Sequence, residues 1–298
     1  MSHHTKPALL WLQSITCNGN AHSFFNHPDL FAILSSFDLV YHPLIDTQYA
    51  IEDLIEGSIP CDILIIEGAY RKEGWQRGEV EVSKLIEIYG QKASFVITVG
   101  TCATFGGIFK EADPTHISGV AFDKEKPAHL YDRLRSKLIC LPGCPIHPEW
   151  LGFVLRMIAA GRAIAVDRRH RPRELYGYTV HAGCTRNEYF EWKVDAQRFG
   201  EKEGCLFYEL GCQGPFTRGS CNKILWHDVS SKTRAGTPCF GCTEPTFPKR
   251  SLHHTSTRMG IPENLPLGIP RRAYLTLAGV AKSFTIKRFG VRLMEYEQ

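Results

Sequence analysis

Nine of the eleven cysteines in this 298-residue sequence stand in turns that contain glycine or proline. Cys17 follows the apolar run ALLWLQ, Cys102 follows SFVITVG in GTCATFGG, and Cys144 follows KLICLPG in LPGCP. The loops at the carboxyl edge of an open α/β sheet converge, so thiols at such strand ends meet in space although they are distant in sequence. Three thiolates on one edge suit an iron–sulfur cluster better than a closed structural zinc site, which wants four ligands. The second half holds seven more potential ligands. These are His181 and Cys184 in HAGC, Cys205 and Cys212 in GCLFYELGCQGP, Cys221, and the pair Cys239 and Cys242 in TPCFGCTEP. Two further metal sites account for them most simply, one with histidine and three cysteines and one with three cysteines. Histidine plus three cysteines is also an ordinary zinc set, so spacing alone leaves zinc open there. Cys61, at the start of a strand, and Cys140, inside one, read as core thiols.

A scaffold must hold these groups. ALLWLQ (8–13), LVYHPL (39–44), DILIIEG (62–68), SFVITVG (94–100) and KLICLPG (137–143) read as strands, and their near-continuous apolar character fits a parallel sheet buried on both faces. Spacings of three and four predict helices over 27–37, 47–57, 80–91 and 148–162, the last opening on Pro148. The alternation predicts a doubly wound α/β domain over 1–170. RRHRPR at 168–173 reads as an exposed charged linker. Over 171–298 the texture is loop-rich and six of the eleven cysteines fall there, as expected of a domain organised around something other than a large apolar core. Residues 271–289 read as one amphipathic helix.

Bulk properties exclude several classes. Apolar residues make up 43% and charged residues 22%, the globular range, and a formal charge of +4 points to neither nucleic acid nor a membrane surface. No apolar run approaches the length of a bilayer span, and no secretory signal is evident, which predicts a cytoplasmic protein. In a reducing compartment eleven cysteines point to metal ligation or redox chemistry rather than disulfides.

ALLWLQSITC, GTCATFGG, LPGCPIHPEW, HAGC, CLFYELGCQGP and PCFGCTEPTFP, in this order, resemble the small subunit of nickel–iron hydrogenases. The likeness spans nearly the whole chain, including MGIPENLPLGIPRRAYLTLAGVAKSF. It implies a flavodoxin-like N-terminal domain with a proximal cluster, then a C-terminal domain with a medial and a distal cluster. Carried over by motif, Cys17, Cys102 and Cys144 bind the proximal cluster. His181, Cys184, Cys205 and Cys212 bind a distal 4Fe–4S cluster. Cys221, Cys239 and Cys242 bind a medial 3Fe–4S cluster. The resemblance also implies a large-subunit partner holding the nickel–iron centre, a higher oligomer of such heterodimers, and an external acceptor such as a quinone-linked carrier.

Two departures stand out. The chain shows neither the export signal nor the C-terminal membrane helix of membrane-bound members. It therefore resembles the cytosolic branch, for which peripheral association with the membrane's cytoplasmic face stays open, and SSKTRAGTPCFGCTEP looks especially like the uptake members. A hydrogen sensor that signals to a kinase is the alternative use of the same architecture. The second departure is Asn20, which occupies the position of the second cysteine in the usual proximal CxxC. An amide is a weak iron ligand beside a thiolate. The proximal cluster is then 3Fe–4S, or an atypical 4Fe–4S with Asn20, water or a carboxylate such as Asp46 on the fourth iron. Either form predicts a higher reduction potential than a four-cysteine site.

Overall fold

A computed structural model describes residues 6–249 and 252–255, together with positions 257, 258, 261, 262, 270, 273 and 276. The helix expected over 271–289 lies, but for two positions, outside the described residues. The chain divides into two compact units, the first reaching Gly177 and regaining the chain at Cys242–Pro248, the second comprising Tyr178–Gly241 and the chain from Lys249 onward.

The first unit is built on five parallel strands: β1 (Ala8–Gln13), β2 (Asp38–Tyr41), β3 (Ile63–Glu67), β4 (Phe95–Val99) and β5 (Leu138–Leu141). Their spatial order is β2-β1-β3-β4-β5, the flavodoxin order, with the switch point between β1 and β3. Every residue of β1 and β3 is buried, which is why both read as unbroken apolar runs. The two-residue period divides them between faces. Leu10, Leu12, Leu64 and Ile66 pack with Leu85, Ile86 and Tyr89 of α3 (Val82–Lys92). Leu9, Trp11 and Ile65 line a small cavity on the other face with Leu155. Leu155 belongs to α6 (Pro148–Ala159), where Pro148 opens the helix and His147 Nδ1 accepts from Glu149 N at 3.2 Å.

Shorter helices follow the strands: α1 (Gly19–Phe25), α2 (Leu30–Leu34), α4 (Gly100–Phe105) and α5 (Gly107–Ala112). The register aligns Gln13 with Glu67, Glu67 with Val99, and Leu141 with Val99. Four strand ends therefore form one edge, and Cys17, Cys102 and Cys144 follow three of them within a few residues.

Three expectations fail. The helix over 47–57 is only a single 3-10 turn, Glu52–Leu54. Asp53 Oδ2 accepts from Ala50 N at 2.8 Å, so a local turn competes with helical bonding. The helix over 27–37 shrinks to Leu30–Leu34, because Pro28 interrupts the entry and His27 Nδ1 takes the Asp29 N–H at 2.9 Å. The stretch 168–173 is no free linker, although Arg168 and Arg173 are exposed. Arg171 is 2% exposed and pairs with Asp167 at 2.9 Å and Glu244 at 3.0 Å, while Arg169 meets Glu244 at 2.8 Å. Lys124 Nζ also donates to Phe247 O at 3.1 Å. These contacts fasten Cys242–Pro248 to the first unit. Removing one member of a buried ion cluster strands the others, so Glu244→Ala is expected to cost roughly 3 kcal/mol of stability. A clear fall in the apparent melting temperature checks this.

The second unit has little regular structure. It holds 3-10 turns at His181–Gly183 and Gly214–Phe216, the short helix α7 (Asn187–Trp192), isolated bridges such as Thr179 with Arg218, and a ribbon of two-residue strands. Its apolar cluster contains Val180, Leu206 and Phe207 together with Cys205, Cys212 and Cys239, and Cys221 packs against it. Among the described residues no helix is long and apolar enough to cross a membrane.

Candidate iron–sulfur sites

Cys17 is exposed, while Cys102 and Cys144 are half-buried. Cys102 lies on the first turn of α4 rather than in a loop. Burial, helped by the neighbouring Cys17 and opposed by N–H bonds from Ile108 and Phe109, pushes its thiol up to about 11. Those two thiols therefore share one locality. The Cys144 loop joins them: a Cβ on Gly19 would lie 3.2 Å from Cys17 Sγ and 3.8 Å from Pro145 Cβ. Gly107, at φ +53°, faces Cys102 so closely that a Cβ there would sit 2.7 Å from Sγ.

Asn20 holds this edge together. It is 7% exposed. Its Oδ1 accepts from Ile146 N at 3.0 Å, two residues past Cys144. Its amide presses on Gly100, two residues before Cys102, where a Cβ would collide with Nδ2. Its backbone N–H donates to Glu67 Oε1 at 3.0 Å. The side-chain oxygen is thus engaged in a protein hydrogen bond.

Glu67 is the residue that sequence reasoning missed. It is 0% exposed at the end of β3. Its carboxyl group accepts from Trp11 Nε1 at 3.3 Å, Gln13 Nε2 at 2.9 Å, Asn20 N at 3.0 Å and Ala21 N at 3.3 Å. Gln13 passes the network on to Arg77, which donates to its Oε1 at 3.0 Å. The only signal in the sequence is an acid closing the apolar run ILIIE. Asp46, one of the candidates for a fourth iron ligand, is exposed in the loop after β2.

In the second unit His181, Cys184, Cys205 and Cys212 all line one small cavity. Burial, with a smaller contribution from the neighbouring Cys184, pushes Cys205 and Cys212 up to about 12. Burial lowers His181, so its ring is neutral near pH 7, the form that binds metal. Phe190 meets that ring edge-on at 4.6 Å. Several N–H groups point at sulfur: Arg186 N to Cys184 at 3.4 Å, and Gly214 N and Cys239 N to Cys212 at 3.4 and 3.3 Å. Such bonds raise the potential of a cluster on those sulfurs. Arg186 also lines the cavity. Its guanidinium donates to the carbonyls of Thr233, Glu203, Gly204 and Glu201, and among the described residues no carboxylate pairs with it. A buried cation without a protein anion favours a negatively charged occupant of the cavity. The donor set and the charge both fit an iron–sulfur cluster.

Of the remaining three thiols, Cys221 and Cys239 belong to the second unit, where Gln213 N donates to Cys239 O at 2.7 Å. Cys242 opens the segment that groups with the first unit. Cys61 and Cys140 are buried away from these groups, and burial pushes both thiols up to about 12.

Comparison with known proteins turns these sites into an identity. Residues 17–158 match the family model of the NADH ubiquinone oxidoreductase 20 Kd subunit. Residues 176–254 match the model for the C-terminal part of the NiFe/NiFeSe hydrogenase small subunit. The chain is 31% identical over 259 residues to the periplasmic [NiFe] hydrogenase small subunit of Solidesulfovibrio fructosivorans, covering 81% of this chain and 79% of that protein. The chain belongs to the nickel–iron hydrogenase small subunits. This hydrogenase subunit is also 30% identical to the F420 non-reducing hydrogenase II small subunit of Methanosarcina mazei, over 82% of this chain and 74% of that protein. Its fold matches the Ni-Fe-Se hydrogenase of Desulfomicrobium baculatum with a TM-score of 0.70 at 25% identity, covering 84% of this chain and all of that one. The actinobacterial-type NiFe-hydrogenase from Ralstonia eutropha H16 shares the fold at a TM-score of 0.72 and 23% identity, covering 98% and 94%. As a hydrogenase small subunit the chain is an electron-transfer component that carries iron–sulfur clusters and acts with a large catalytic subunit bearing the nickel–iron centre.

Proposed function

We propose that this small subunit serves hydrogen uptake, passing electrons from the large subunit through three iron–sulfur clusters to an external acceptor. Bound clusters supply the one-electron carriers. Cys17, Cys102 and Cys144 would hold the proximal one, Cys221, Cys239 and Cys242 the medial 3Fe–4S one, and His181, Cys184, Cys205 and Cys212 the distal 4Fe–4S one. The observation that carries this reading is the single cavity walled by all four distal residues. The chain's own work is to fix ligand spacing, to donate N–H bonds to sulfur, and to exclude water by burying Cys205, Cys212 and Cys239. At the proximal site three thiolates in place of four leave less negative charge, which supports a raised potential. The likeness of SSKTRAGTPCFGCTEP to uptake members supports the direction of electron flow.

The test uses the anaerobically purified heterodimer. Cys184→Ser is expected to remove or convert only the distal EPR signal and to slow hydrogen-dependent reduction of an artificial acceptor. Cys61→Ala should keep all three signals. Stoichiometric zinc without acid-labile sulfide would overturn the cluster reading, and a complex that binds a kinase but shows no turnover would overturn uptake in favour of sensing.

A further inference from the structure

Thr101 sits where three of the ligand-bearing stretches come together. It is 1% exposed, directly before Cys102 on α4. Its backbone N–H donates to Gly143 O at 2.9 Å, the residue directly before Cys144. Its hydroxyl donates to the carbonyl of Cys242 itself, a residue 141 positions away. Thr104, one turn on, behaves as helical threonines commonly do: its Oγ1 donates back to Gly100 O at 3.0 Å. The Thr101 hydroxyl instead leaves its helix to hold a distant strand of backbone.

That backbone is held from the far side too. Arg171 donates to Thr243 O at 3.3 Å and to Glu244 at 3.0 Å, so the residues after Cys242 are anchored by charge. The carbonyl of Cys242 has its hydroxyl partner in Thr101, and a threonine at 1% exposure has little freedom to exchange that partner for water. One residue thus ties these stretches together, its backbone N–H to the residue before Cys144 and its hydroxyl to the main chain of Cys242.

We propose that Thr101 is a positioning residue that sets the spacing between the proximal and medial ligands, and with it the electronic coupling of the first two carriers. The inference rests on the ligand assignment under the preceding heading. Transfer between two carriers falls steeply with their separation, so a hydroxyl that pins Cys242 to the proximal loops acts on rate without touching either metal.

The experiment compares Thr101→Val and Thr101→Ser in the intact heterodimer. Iron content and the potentials of both clusters are measured by redox titration, and their magnetic interaction by EPR in the redox state where both are paramagnetic. Valine is expected to keep iron at both sites but to weaken or abolish the magnetic splitting and to slow turnover. Serine, which keeps the hydroxyl, should restore the parent spectrum. A valine variant with full iron and unchanged splitting overturns the proposal. If valine prevents assembly, Thr101→Ala removes the hydroxyl without adding bulk. Loss of medial iron alone in that variant supports the proposal, and loss of both clusters, or no change, overturns it. The ligand assignment fails separately: a Cys242→Ala complex whose medial signal is unaltered would show that Cys242 is no ligand.

Discussion

Replacing Glu67 with alanine is expected to empty the proximal site and to cost on the order of 3–5 kcal/mol, because four buried donors lose their acceptor at about 1–3 kcal/mol each and such losses are not additive. The donors are the indole of Trp11, the amide of Gln13 and the main-chain N–H groups of Asn20 and Ala21. Two come from β1 and two from α1, so their convergence on one carboxyl group fixes how the chain leaves β1, passes Cys17 and enters α1. Water cannot substitute, since Glu67 is 0% exposed. Glu67→Gln keeps the volume but turns one acceptor into a donor facing donors, and should be intermediate. The readouts are the apparent melting temperature and the proximal EPR signal per heterodimer. An alanine variant with the parent melting temperature and a full proximal signal would show that Glu67 is not what orders this edge.

The second large effect is on potential. Asn20→Cys is expected to lower the reduction potential of the proximal cluster and to change its EPR spectrum. A fourth thiolate adds negative charge, which favours the oxidised form. It also removes the carbonyl oxygen that accepts from Ile146 N at 3.0 Å, and a buried N–H left without a partner costs about 1–3 kcal/mol. The variant should therefore pair a lower potential with a modest loss of stability. Asn20→Ala separates the two effects: it incurs the same loss at Ile146 without adding a ligand, so its potential should stay near the parent's. An unchanged spectrum and potential in the cysteine variant would mean that the introduced thiol does not reach the cluster.

The five strands were legible because each is a local property of the sequence: a largely buried apolar run closed by a turn. The cysteines were legible because few other residues concentrate in such turns, and the alignment of the Gln13, Glu67, Val99 and Leu141 strand ends then explains why distant thiols share an edge. What stayed hidden depends on partners far away in sequence. Nothing near Glu67 indicates that its carboxyl group will meet donors 46 to 56 residues earlier. RRHRPR looks like solvent-facing charge until Glu244 arrives from 73 residues downstream to neutralise Arg171. The pattern over 47–57 has helical spacing, yet the Asp53 turn and Gly57 at φ +65° break it locally. Asn20 was conspicuous as a missing thiolate, whereas its role as a brace between Ile146, Gly100 and Glu67 belongs to the folded chain alone.

The most direct test of the central claim is EPR spectroscopy of the anaerobically purified heterodimer, poised across a redox titration, with iron and acid-labile sulfide counted on the same sample. Three clusters per small subunit are predicted, with a 3Fe–4S signal from the medial site and a proximal potential above that of four-cysteine relatives. Fewer than three clusters, or zinc at the His181, Cys184, Cys205 and Cys212 cavity, would contradict it.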